Sequence, residues 1–211
     1  MDNSQIKLLE QLNIVLDDKK ADIFEKYMRI FLKKNSHINL ISKNDEKFLF
    51  EKHIYDSLAI NKFLKPQQGD TLLDIGTGGG FPSIPIAIIY ENLNIFPIDS
   101  IRKKIKVIEE IKNELNLKNL FPICDRVENN KQKYDYVTTR AVASLDVILK
   151  YAIPHLKDGG YFIAYKSKNV GEELKNAKKT IKYFGVKVVN IIEYTLPLEE
   201  IHERNLIIFT K

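Results

Sequence analysis

Apolar positions along this chain follow two spacings, and the switch between them falls near residue 66. In the first stretch Leu8, Leu9 and Leu12, then Ile23, Phe24, Tyr27, Met28 and Phe31, recur at helical intervals and predict amphipathic helices. A polar break at Ser42-Lys-Asn-Asp45 offers N-cap residues for a further helix through Phe48, Ile54, Leu58 and Phe63. Pro66-Gln-Gln-Gly-Asp70 then punctuates the chain. Residues 1–65 are therefore expected to form a helical extension packed on a core of residues 66–211, the whole making one compact unit.

From Thr71 onward, short apolar runs alternate with helical patterns. Strands are expected over 71–75, 94–99, 120–124, 134–139 and 160–166, with helices from 82, over 101–115, 145–156 and 171–184. Strand and helix in succession predict an α/β fold, a mostly parallel, doubly wound Rossmann-like sheet with crossover helices. The last two strands, 186–194 and 204–210, are joined by a segment centred on Leu196-Pro-Leu-Glu-Glu-Ile-His202, which leaves no room for a packed crossover helix. They are expected to pair as an antiparallel hairpin closing a seven-stranded sheet.

Within this pattern one segment carries chemistry. Leu72-Leu-Asp-Ile-Gly-Thr-Gly-Gly-Gly-Phe-Pro82 runs an apolar strand into a glycine-rich turn that opens a helix. Glycines at 76, 78 and 80 let a ligand approach the backbone, Asp74 precedes them, and Asp99 ends the next strand. A dinucleotide fingerprint wants a small third residue where this chain has Phe81, so the turn is built for close approach but not in the dinucleotide pattern. S-adenosylmethionine fits better: its carboxylate suits the free N–H groups of a helix start, and its ribose diol needs an acceptor such as Asp99. Asp99 also reads as an N-cap of the next helix, in competition with Ser100. Phe81 and the terminal hairpin speak against a nicotinamide oxidoreductase, and the glycine turn with Asp99 speaks against a cofactor-free scaffold.

Ligands of open parallel sheets bind beyond the carboxyl ends of the strands. That rule selects Asp125-Arg-Val-Glu128 after the third strand, Thr138-Thr-Arg140 after the fourth and Lys166 after the fifth. Val127 is placed to flank an adenine with Glu128 beside it, although Arg126 and Glu128 also read as an exposed surface pair. Arg140 can bind a cofactor carboxylate or an RNA phosphate, or form a salt bridge at the core edge. His53, Asp56 and Ser57 share a face of the helix preceding the glycine strand.

Composition alters this picture little. The 211 residues are 44% hydrophobic, enough for a self-sufficient core without disulfides or a metal. The single cysteine, Cys124, reads as a strand residue and points to a reducing compartment. Neither a signal-peptide pattern nor an apolar run of membrane-spanning length is present, so a cytoplasmic protein with no membrane partner is expected. The net charge of +5 is carried by lysine, 28 Lys against 5 Arg, and is weak evidence for a nucleic-acid partner. In so lysine-rich a chain Arg126, Arg140 and Arg204 stand out as sites where a planar, bidentate group matters.

Taken together, Asn39-Leu-Ile-Ser42, His53-Ile-Tyr-Asp-Ser-Leu58, Asp74-Ile-Gly-Thr-Gly-Gly-Gly-Phe-Pro82, Asp99-Ser100, Arg126-Val-Glu128, Arg140-Ala-Val-Ala-Ser-Leu145 and Glu203-Arg-Asn-Leu206 resemble the bacterial small-subunit ribosomal RNA guanine-N7 methyltransferase family, formerly called glucose-inhibited division protein B. The resemblance runs nearly end to end. It implies a class I S-adenosylmethionine-dependent methyltransferase that acts on N7 of a guanine in the decoding-region loop of 16S ribosomal RNA, free or in a small-subunit particle, and releases S-adenosylhomocysteine. It carries cofactor contacts to Gly76, Phe81, Val127, Glu128 and Arg140, beside Asp74, Gly78, Gly80 and Asp99 from the turn itself. Lys166, His53 and Arg126 are the RNA-side candidates, with Lys33, Lys34, Lys103 and Lys104 as candidate phosphate contacts. Without the resemblance, another RNA or a small molecule would remain an equal acceptor. Ser83 and Ser167 depart from the family, which usually has glycine at both places. No general base is expected, because guanine N7 carries no proton, and a monomer with no metal is expected.

Overall fold

The computed structural model describes residues 1–167 and 169–211. Helix α1 (Asn3–Glu10) starts at a capping box in which Asp2 and Gln5 satisfy each other's backbone N–H. Helix α2 (Asp18–Asn35) is capped by Asp17, which accepts from Lys20 N–H, and buries Phe24, Tyr27, Ile30 and Phe31. The single helix expected from Ser42 to Phe63 is instead a succession of tighter and wider turns. A 3-10 segment over Lys43–Phe48, capped by Ser42, leads into a π-helical stretch Leu49–Tyr55, a short α3 (Asp56–Leu58) and a 3-10 turn Ala59–Lys62. The wide π turn shifts the helical phase just before Asp56, which is where side chains leave this segment for the sheet.

Strands β1 (Thr71–Ile75), β2 (Asn94–Asp99), β3 (Ile123–Cys124), β4 (Tyr134–Arg140), β5 (Leu156–Lys166), β6 (Lys187–Leu196) and β7 (His202–Thr210) form one seven-stranded sheet in the order β3-β2-β1-β4-β5-β7-β6. All pairs are parallel except β5–β7 and β6–β7, so the terminal hairpin forms as expected. Helices α4 (Ser83–Ile89), α5 (Arg102–Leu115), α6 (Leu145–Ala152) and α7 (Val170–Phe184) make the crossovers. The third strand is shorter than expected: Pro122 has no N–H to give to a ladder, and upstream only an isolated bridge from Leu120 to Ile95 remains. The sixth helix stops at Ala152, ahead of Pro154, and β5 begins at Leu156 rather than 160. Gly160 permits this early start, since a methyl group there would stand 2.7 Å from the Asp135 carbonyl oxygen.

Both faces of the sheet are covered, and alternation along each strand divides the core. Leu72, Ile95, Tyr136, Ile163 and Ile208 join one cluster with α2, α4 and α5, whereas Leu73, Ile98, Val137, Phe162 and Phe209 join a second with α6 and α7. Leu9, Phe24, Phe31, Ile54 and Leu58 belong to the first cluster, so the N-terminal helices share a core with the sheet. No helix among the described residues is long and apolar enough to cross a membrane.

Candidate active site

The order in which strands are added reverses at β1, which has β2 on one side and β4 on the other, and the glycine turn sits at that switch point. Gly76, Gly78 and Gly80 all have left-handed backbone, with φ of +70°, +58° and +91°. At Gly80 the need is also steric, because a methyl group would lie 2.4 Å from Ile84 Cδ1. At Gly76 it would lie 2.7 Å from Val142 Cγ2, on the segment following β4. Gly76 therefore marks a place where two loops nearly touch.

On one side of this contact lies a cleft of about 250 Å³ lined by Ile75, Gly76, Ile98, Asp99, Ser100, Asp125, Arg126, Val127 and Glu128. Asp99 accepts from Gly78 N–H (3.1 Å) and from Ile101 N–H (2.9 Å), while Lys104 Nζ stands 3.9 Å away. Each carboxylate oxygen keeps a further lone pair for a ligand. The fifth helix has no side-chain cap, so Asp99 serves the glycine turn and the loop rather than the helix. Arg126 and Glu128 are exposed and form no ion pair with each other among the described residues.

Of the expected cofactor residues, Asp74, Phe81, Gly80 and Arg140 sit elsewhere, and Gly78 reaches the cleft through its N–H on Asp99. Asp74 is wholly buried under the turn, with one oxygen accepting from Ser83 Oγ at 2.7 Å and the other without a partner. Burial raises its pKa to about 7, against the lowering effect of the Ser83 bond. Ser83, the departure from the family pattern, thus donates to Asp74 from the start of α4. The Phe81 ring faces the N-terminal helices, 5.1 Å from Phe31 and 5.0 Å from His53, leaving its backbone for any ligand. Gly80 packs on Ile84 and does not line the cleft.

Across the Gly76–Val142 contact lies a second cleft of about 510 Å³. Its floor is Arg140, which donates to Asp56 Oδ2 (2.8 Å) and to the Lys52 carbonyl (3.1 Å), lies 3.1 Å from His53 Nδ1 and stands over the Phe81 ring at 5.1 Å. The other Asp56 oxygen accepts from Tyr194 (2.7 Å), with Arg204 at 3.8 Å. Of the open readings of Arg140, the salt bridge is formed, and its partner is Asp56. His53 is neutral at pH 7: burial first, and the Arg140 charge second, lower its pKa from 6.5 to about 4. Its Nε2 and the Tyr27 hydroxyl are buried without partners. Lys166 lines the same cleft, donating to the Ala143 carbonyl (2.7 Å) and Glu173 (3.1 Å), and the Ser167 carbonyl accepts from Asn205 (3.1 Å). Among the lysines expected to face phosphate, Lys34 is occupied by Glu110 (2.6 Å) and Glu114 (3.1 Å), whereas Lys33 and Lys103 are exposed. No motif in the sequence marks Tyr194, Tyr165, Lys52 or Glu173, and the two tyrosines join the site only through Asp56 and Ser57, 138 and 108 residues away.

The first cleft suits S-adenosylmethionine. Ile75, Ile98 and Val127 offer apolar walls for an adenine, Asp99 offers acceptors for a ribose diol, and Asp99, Asp125 and Glu128 give a lining favourable to a sulfonium. A sheet of this order, with a glycine turn at its switch point and an acidic end to β2, defines a class I S-adenosylmethionine-dependent methyltransferase. M. jannaschii TYW2, solved in complex with AdoMet, shares the fold with a TM-score of 0.56 and 18% identity over 69% of this chain and 70% of that one.

A family model described as rRNA small subunit methyltransferase G matches residues 20–206. Ribosomal RNA small subunit methyltransferase G of Lachnoclostridium phytofermentans is 37% identical, covering 100% of this chain and 89% of that protein. Its counterpart in Acetivibrio thermocellus is 36% identical over 100% and 91%. The chain belongs to the rRNA small subunit methyltransferase G family.

Proposed function

We propose that this enzyme methylates N7 of a guanine in the decoding-region loop of 16S ribosomal RNA. The observation that carries the reading is the adjacency of the two clefts, which meet at Gly76 and Val142, joined to family membership. The cofactor supplies an electrophilic methyl group on a sulfonium and leaves as neutral S-adenosylhomocysteine. Asp99 holds the ribose, Val127 and Glu128 border the adenine, and Gly76 and Gly78 let the backbone approach the amino-acid end, with Phe81 contributing backbone only. Asp74 and Gly80 support the turn from beneath. Arg140, His53 and Lys166 shape the acceptor side, with residues 1–65 forming one wall of it, whereas Arg126 lines the cofactor cleft and would meet RNA only at its mouth.

Guanine N7 attacks with its own lone pair, so no proton has to be removed and positioning carries the rate. The methylated ring becomes cationic, and here the arrangement around Arg140 matters. Its charge is matched by Asp56, and His53 is neutral, so the second cleft does not meet the product with two unbalanced cations. Mapping N7-methylguanine in 16S ribosomal RNA from cells with and without the protein tests the proposal: loss of a single decoding-region mark is expected, and an identical map would refute it.

A further inference from the structure

We infer that Glu173, on the first turn of α7, is a positioning residue that sets the wall between the two clefts. Its carboxylate reaches that wall with both oxygens. Oε2 accepts from Leu145 N–H at 2.6 Å, and Oε1 accepts from Lys166 Nζ at 3.1 Å, while Lys166 Nζ also donates to the Ala143 carbonyl at 2.7 Å. The sixth helix starts at Leu145, and its N-cap residue, Ser144, makes no side-chain cap bond. Glu173 therefore supplies from another helix an acceptor for the first of the unpaired N–H groups of α6, in the place where a carboxylate also meets the positive end of the helix dipole.

What this anchor holds is the segment from Ala141 to Ser144, and the segment needs holding. Ala141 has φ +56°, a conformation that alanine rarely adopts, and Val142 is exposed yet lies against Gly76. The upstream end is fixed by Arg140 on Asp56 and the downstream end by Glu173 Oε2 on Leu145 N–H, while Glu173 Oε1 and the Ala143 carbonyl hold the Lys166 ammonium. With both ends pinned, Val142 stays over the glycine turn on the cofactor side, and the Lys166 ammonium stays in the acceptor cleft. The two oxygens of Glu173 divide the work: Oε2 holds the backbone at Leu145, and Oε1 holds the Lys166 charge. The inference rests on assigning the Gly76 cleft to the cofactor, which binding of S-adenosylhomocysteine by the unaltered protein tests separately.

The two oxygens give the experiment two arms, dissociation constant for S-adenosylhomocysteine by calorimetry and methylation kinetics on 16S RNA. Glu173→Gln keeps an acceptor for Leu145 N–H but turns an amide toward Lys166. It is expected to bind S-adenosylhomocysteine within twofold of wild type and to lose roughly fivefold or more in kcat/KM for RNA. Glu173→Ala loses both anchors and is expected to weaken S-adenosylhomocysteine binding about tenfold, with a further fall in kcat/KM. Lys166→Met, which leaves the Leu145 bond intact, is expected to bind S-adenosylhomocysteine like wild type. If Glu173→Ala is folded and binds normally, or if Glu173→Gln matches wild type in RNA kinetics, the inference is overturned. Should Glu173→Ala fail to fold, Glu173→Gln and Lys166→Met decide it, because equal losses of S-adenosylhomocysteine affinity in both would overturn the division of labour. Failure of the wild-type protein to bind S-adenosylhomocysteine would overturn the cofactor assignment and this inference with it.

Discussion

The two clefts on either side of Val142 are built by different means. The cofactor cleft draws on the ends of β1, β2 and β3, where apolar side chains, glycine backbone and the carboxylates of Asp99, Asp125 and Glu128 come from two successive α/β repeats. The acceptor cleft is held by an ion pair and hydrogen bonds that span the chain, Arg140 with Asp56, Tyr194 with Asp56 and Tyr165 with the Ser57 carbonyl. A cleft made from strand ends inherits its precision from the sheet. One made from long side chains depends on every partner being present, because an ion pair in a buried setting loses far more when one member is removed than the pair contributes.

The largest effect is therefore expected on the acceptor side. Asp56→Ala strands the Arg140 guanidinium in a site where its side chain is 14% exposed and removes the acceptor of Tyr194. A loss of about 3–5 kcal/mol in urea unfolding is expected, with methylation abolished. A loss below 1 kcal/mol would show that Asp56 is not the keystone of that cleft.

Next comes a test by pH. With a pKa of about 4 in the fold against 6.5 for an ordinary histidine, His53 binds its proton more readily once unfolded. Its contribution is present above pH 6.5 and is lost as pH falls toward 4, by up to about 3 kcal/mol. Asp74, raised from 3.8 to about 7, works in the opposite direction, disfavouring the fold as pH rises through that range. The two are separated by comparison: the stability of His53→Gln relative to wild type should improve steadily between pH 6.5 and 4, and a constant difference would place the acid response elsewhere.

On the cofactor side the changes are smaller and local. Gly80→Ala combines φ +91° with a 2.4 Å approach to Ile84 and is expected to destabilise by roughly 2 kcal/mol. Its thermal unfolding should show this without loss of the Arg140–Asp56 network, and an unshifted melting temperature would mean that the turn yields. Asp99→Asn is expected to leave stability near wild type and to weaken S-adenosylmethionine binding about tenfold, about 1.4 kcal/mol. Unaltered affinity would remove Asp99 from the ribose.

The contrast between the clefts also explains what was readable in advance. The glycine turn, Asp99 and the closing hairpin were legible because each is written in consecutive residues. The helix expected through Phe48 and Phe63 was misjudged because its apolar residues keep a helical spacing while tertiary packing imposes 3-10 and π turns. Asp74 was selected for its position beside the glycines, yet strand alternation and the Ser83 bond place it beneath them. The size of Phe81 speaks against a dinucleotide, and the resemblance makes it a cofactor contact. In the fold its ring joins the sheet to Phe31 and His53 of the extension.

By itself the sequence determined the order of strands and helices, the turn that needs left-handed backbone, the acidic end of the second strand and the family. These depend on local propensity, period and spacing, which act between near neighbours. Only the tertiary structure decided that Arg140 is paired with Asp56, that His53 is neutral and that Glu173 reaches across to the start of another helix. Those outcomes depend on burial and on distances of a few ångströms between residues 28 to 138 positions apart. Burial makes each unpaired charge costly, and it exists only once the chain has closed around the site.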